Sequence, residues 1–163
     1  MTTLPLEKSA NSFLQSLWDH RWLGIVLTVG VAAVIGAIVA FTMPRGPTTT
    51  AQALVVLTTG LAVGFIAGLA MQPKWAMLLA PVAYIVALEL ARWSAYGPTL
   101  DFPRFDSTYG ILALILGRGF HALVGLLPML LGVGFGLTLA RYLSGLSVRW
   151  TPSIVAGVIL AAL

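Results

Sequence analysis

The sequence predicts an all-α fold, a polytopic transmembrane helical bundle, on three observations. Of its 163 residues, 59% are hydrophobic and only 9% charged, whereas a soluble domain carries about 25% charged residues. The apolar runs are long and continuous, without the two-residue alternation of a membrane barrel. Helices are then the remaining way to satisfy backbone polar groups in lipid. The 17 glycines and 9 prolines fit the same reading, because both residues are enriched in transmembrane helices.

Residues 1–21 read as a tail. Within it, "SANSFLQSLWDHRW" places Phe13 and Leu17, and then Leu14, Trp18 and Trp22, on adjoining i,i+4 rows. This spacing describes either a short amphipathic helix at the membrane interface or an ordinary tail with anchoring aromatics. The apolar run that follows is longer than the core of a cleavable signal peptide.

Residues 22–163 form the transmembrane helical domain. The first span covers about 22–43 and ends at the helix-breaking "PRGPTTT". The second covers about 51–71 and is followed by "QPK"; the third covers about 75–93. Roughly 20 residues rising 1.5 Å each cross about 30 Å of hydrocarbon. Short connections predict antiparallel neighbours and a compact up-down-up group.

The loop "SAYGPTLDFPRFDST" carries Asp101, Arg104 and Asp106 between turn-forming prolines. From Gly110 to Leu143 the chain is apolar for 34 residues, roughly 51 Å as a helix. That length exceeds one span. It predicts a short inserted or interfacial helix over 110–117 and a fourth full span over 122–143, divided at Gly117–His121. After "SGLSVRWTP" an apolar run begins at Ser153 and reaches Leu163 after eleven residues, too few to cross a bilayer. The run over 153–163 reads as an incomplete fifth span of a longer protein.

Small residues recur every four positions: Gly60, Gly64 and Gly68 in the second span, Ala32, Gly36 and Ala40 in the first, Gly132, Gly136 and Ala140 in the fourth. Such faces let helices approach closely in lipid, which offers no hydrophobic force between them. "LTVGVAAVIGAIVA" and "LTTGLAVGFIAGLA" match at six of fourteen positions, a faint internal repeat of a kind common in transporters that simple apolar composition also produces.

The formal charge of +4 comes from nine basic and five acidic residues. The basic residues flank the apolar runs instead of gathering into the patch that nucleic acid requires; the lipid bilayer is the expected partner. Lys8, Arg21, Lys74, Arg141 and Arg149 fall on the N-terminal side, and Arg45, Arg92, Arg104 and Arg118 on the other. Five against four orients the N-terminus toward the cytoplasm across an inner (plasma) membrane.

Polar residues inside apolar runs are the candidate ligand or ion-path groups. Glu89 is the one acid within a span; Arg92 at i+3 is placed to pair with it, and Tyr84 extends the same face. Such a carboxylate either binds protons or cations or anchors the helix end. Arg118 and His121, also at i+3, form either an anion-binding pair or the boundary between two helices. Cysteine is absent and histidine occurs twice, so no metal centre or cofactor site assembles. No nucleophile elbow, zinc-protease, phosphate-loop or dinucleotide signature occurs, and no catalytic residue is assigned.

The segment "RFDSTYGILALILGRGFHALVGLLPM" resembles actinobacterial membrane proteins in which a small multi-span domain precedes an α/β-hydrolase domain. The resemblance covers about Ala51–Leu143 and includes no catalytic motif. It implies a membrane module with any Ser-His-Asp chemistry beyond Leu163. Three functions follow as expectations: an anchoring or scaffolding domain of a larger protein, a transporter or permease component with a polar path near Glu89, Arg118 and His121, or a membrane enzyme acting on lipid-like substrate.

Overall fold

The computed structural model describes residues 13–43, 49–72, 75–93 and 105–145. All regular structure among them is helical. A short helix, α1, is described over 13–19. Four helices follow: α2 (Arg21–Thr42), α3 (Thr50–Ala70), α4 (Ala76–Arg92) and α5 (Thr108–Leu143). The incomplete fifth span over 153–163 and loop residues 94–104 lie outside the described residues.

Among the described residues, three helices, α2, α3 and α5, are long and apolar enough to cross a membrane. The distribution of side-chain size shows which solvent they meet. In α2 the buried positions include Gly24, Thr28, Ala32, Gly36 and Ala40, whereas Val26, Val34, Ile38 and Phe41 face outward. The same inversion holds in α3, where Gly60, Gly64, Ala67 and Gly68 are buried and Leu54, Val55, Leu61 and Ile66 are exposed. Water would drive the large side chains inward; lipid does not, and small residues then occupy the contacts. The chain is a multi-pass integral membrane protein.

Direction alternates along the chain, but the largest interfaces join alternate helices: α3 with α5, then α2 with α4. Both pairs are parallel. Gly60, Gly64 and Gly68 of α3 lie against Gly125, Met129 and Val133 of α5, in rising order. Gly132 and Gly136 of α5 return the contact to Leu61 and Phe65. Gly36 of α2 faces the Tyr84 carbonyl of α4; a β-carbon there would sit 2.6 Å from the oxygen. Gly24 faces the Ala70 carbonyl of α3 in the same way, at 2.7 Å, so α2 touches α3 as well. The up-down-up order expected for the first three spans is present, yet consecutive helices are secondary neighbours.

The expected division at Gly117–His121 is overturned. The helix runs unbroken through Gly117–His121, so the separate helix 110–117 and the span 122–143 are one element, the 36-residue α5. Glycine only weakens a helix by about 1 kcal/mol, and neither Gly117 nor Gly119 is accompanied by a cap or turn; the length that argued for division is accommodated by extension past α3. In the register set by Gly64 and Met129, the start of α3 at Thr50 lies level with Ile115. The first turns of α5 therefore project beyond it by roughly 10 Å.

The repeat is not reflected in packing. Gly30, aligned with Gly60, has nothing near it, and Thr28 is buried where its counterpart Thr58 is exposed. Local signals do set helix ends. Thr49 and Gln52 form a reciprocal capping box at the start of α3, and the Ser107 side chain accepts a hydrogen bond from Gly110 N–H at the start of α5.

Candidate functional site

The end of the bundle remote from the N-terminus holds the end of α2, the start of α3, the end of α4 and the Arg118 region of α5. Here the structure brings together the polar residues that the sequence singles out. Arg118 Nη1 lies 2.7 Å from Glu89 Oε2, an ion pair joining α5 to α4. Its side chains are 37% and 33% exposed respectively, so the pair sits at the bundle's surface. Glu89 is one turn before the C-cap of α4, Trp93, roughly 6 Å along the axis. Arg118 lies about one turn inside the level of Thr50. Both charges are thus near the edge of the hydrocarbon, where a partner reduces the cost of immersing them.

The same-helix pairing expected between Glu89 and Arg92 is replaced by this cross-helix pair. Arg92 instead donates from Nη2 to the backbone carbonyl of Met43, 2.9 Å away. Met43 is the C-cap residue of α2, and a helix end carries carbonyls without intrahelical donors. A cation there meets both an orphan acceptor and the negative end of the helix dipole. Arg92 consequently ties α4 to the end of α2.

His121 is 7% exposed and lies one turn from Arg118 along α5. Tyr84 is 4% exposed. Its ring and hydroxyl border the bare face of Gly125, the next turn of α5, where a β-carbon would lie 3.7 Å from the Tyr84 oxygen and 3.6 Å from Val56 of α3. Tyr84 and Glu89 from α4, with Arg118 and His121 from α5, therefore line one seam. The seam runs from the membrane edge inward to a junction of three helices. Gly64, Gly68, Gly132 and Gly136 lie apart from it in the α3–α5 interface, whereas Gly60 packs on Gly125 at the seam's inner end.

Among the described residues, the Glu89–Arg118 pairing and the Arg92–Met43 bond are links that sequence spacing does not supply. A signal for the first was present: Glu89 and Arg118 are opposite charges in separate apolar runs, each costly without a partner. The i+3 neighbours Arg92 and His121 were nearer in sequence and masked it. The second had no sequence signal, since every helix ends in carbonyls.

Among the described residues, the seam holds the Glu89 carboxylate paired with the Arg118 guanidinium, the Tyr84 phenol and the His121 imidazole. Comparison with family models, with curated proteins and with solved structures finds no match to this chain.

Proposed function

We propose that this chain is a membrane-embedded anchoring or scaffolding domain of a larger protein. The observation that carries the reading is the α3–α5 interface, where glycine faces bring two helices into backbone contact over several turns. Contact of that kind leaves little freedom for one helix to slide on the other, as a fixed platform requires. The polar groups support the same reading. Glu89 and Arg118 neutralise each other between α4 and α5, and Arg92 holds the end of α2; each joins helices.

In this proposal the chain makes four full spans, including α4. Its N-terminus is cytoplasmic in a plasma membrane, and a hydrolase module follows the membrane domain. The test is recovery of the intact polypeptide from native membranes through an N-terminal epitope tag. A mass well above 17.2 kDa, with labelling by a serine-reactive fluorophosphonate, is the expected result. An intact mass of 17.2 kDa would overturn the attachment to a larger protein.

The shared seam of Tyr84, Glu89, Arg118 and His121 favours a second reading, a transporter component moving protons or a small ion. Proteoliposomes with an internal pH dye separate the two. Proton or ion flux lost in Glu89→Gln, with folding preserved, supports transport; flux at the protein-free level in the wild type supports the scaffold.

A further inference from the structure

The opposite end of the bundle carries a second polar feature, independent of the seam and of the function proposed above. A cleft of about 580 Å³ opens where α1, α2, α3, α4 and α5 all reach the N-terminal side. Arg21 from α2 and Arg141 from α5 line it, with Trp18 from α1, Trp75 at the start of α4 and Gln72 just past α3. Among the described residues, no acidic group lines it. Ile25, one turn further along α2 than Arg21, and Met71 add apolar lining.

The cleft is built from distant parts of the chain. Trp18 donates its indole N–H to the Leu69 carbonyl of α3 at 3.0 Å, and Leu17 beside it is buried. These contacts hold α1 against the bundle and make it a wall. Helix dipoles do not select a charge sign here, because α2 and α4 bring their N-termini and α3 and α5 their C-termini. The two guanidiniums do. Arginine presents planar, bidentate donors suited to phosphate oxygens.

Position identifies the rest of the ligand. The helix ends place Arg21 and Arg141 at headgroup depth. Trp75 is largely exposed there, as an aromatic at the lipid–water boundary is. Apolar surface continues from Ile25 toward the bilayer interior, since Ile25 and Val26 face outward. A cationic mouth, a tryptophan rim and an apolar floor open to lipid match a molecule with a phosphate head and acyl chains. We propose that this cleft binds an anionic phospholipid in the leaflet on the N-terminal side, its phosphate held between Arg21 and Arg141 and its chains running along Ile25.

The full chain, purified in a mild detergent, tests this by native mass spectrometry with equimolar phosphatidylglycerol and phosphatidylcholine. The expected result is one retained lipid with at least tenfold preference for phosphatidylglycerol. That preference should fall to within twofold in Arg21→Gln/Arg141→Gln and largely survive in Arg141→Lys. Equal retention of both lipids by the wild type would overturn the proposal without reference to any variant. So would an unchanged preference in a double variant whose helical content and thermal midpoint match the wild type. Inorganic phosphate is the remaining arm. If it displaces the lipid at millimolar concentration and binds alone with similar affinity, the cleft is a free-phosphate site and the lipid assignment fails. No displacement supports the lipid.

Discussion

Gly64 of α3 presents its bare α-carbon to the backbone carbonyl of Met129 on α5, so closely that a methyl group would overlap the oxygen. Met129 is itself wholly buried. The contact is between two backbones, and neither has a side-chain rotamer that relieves an added atom. Gly64→Ala is therefore expected to lower stability by about 1–3 kcal/mol, the usual cost of overpacking, and Gly64→Leu by more. At Gly30 and Gly119 an added methyl group would meet nothing within 4 Å. Alanine at either should be neutral or stabilise by up to about 1 kcal/mol through helix propensity. Thermal unfolding in detergent, followed by circular dichroism, checks the contrast. Equal effects at Gly64 and Gly30 would contradict the interface.

The Glu89–Arg118 pair joins helices that otherwise touch sparingly. Both side chains are about a third exposed, so removing either charge and losing this ion pair should cost about 0.5–1 kcal/mol. Glu89→Gln and Arg118→Gln should each lower the unfolding midpoint, and the double variant should lose less than the sum of the two. A double-mutant cycle measures this coupling. Strict additivity would mean that the pair contributes nothing.

Thr28 is 1% exposed, and its hydroxyl has no hydrogen-bond partner among the described residues. Thr42, Thr58, Thr59 and Thr138 return their hydroxyls to a carbonyl one turn back, Thr58 to Leu54 at 2.8 Å and Thr138 to Gly134 at 2.8 Å. Thr28→Val keeps the shape and removes an unsatisfied polar atom, so it should be neutral or stabilise by about 1 kcal/mol. A loss of more than about 1 kcal/mol in the same unfolding assay would reveal a partner for the hydroxyl.

Trp18→Phe deletes the hydrogen bond to Leu69 and should weaken the docking of α1 by about 0.5–1.5 kcal/mol. The global midpoint should move little, because the bond holds a peripheral segment. Hydrogen exchange checks the outcome: amides over 13–19 should exchange faster while those of α3 stay protected. Unchanged exchange in that segment would place its docking energy elsewhere, in Leu17.

How far the sequence can be read is shown by particular residues. The membrane setting is legible because it depends on composition: apolar runs of this length have no other stable environment. The ends of α2 and α3 lie close to the expected boundaries, where the Pro/Gly loop and "QPK" interrupt the pattern. The continuity of α5 through Gly117–His121 is not legible, because length alone separates one long helix from two shorter elements. A helix that projects past its neighbours has the same local sequence as one that stops.

The candidate site is legible as a set of residue types and not as a set of contacts. Glu89, Arg118, His121 and Tyr84 stand out because polar groups are costly in apolar runs. Their pairing depends on α4 and α5 lying side by side, which no i+3 spacing specifies.

By itself, then, the sequence determined an all-helical membrane protein, which helix faces are small, and which side chains are anomalous. These are properties of single segments, decided by side-chain chemistry and helical period. Tertiary structure alone decided that Gly64 meets Met129, that Gly36 meets Tyr84, and that Glu89 pairs with Arg118. A face of small residues allows any helix to come close. The choice of a parallel partner two helices away follows from how all four helices fill space together, and that information is spread over the whole chain.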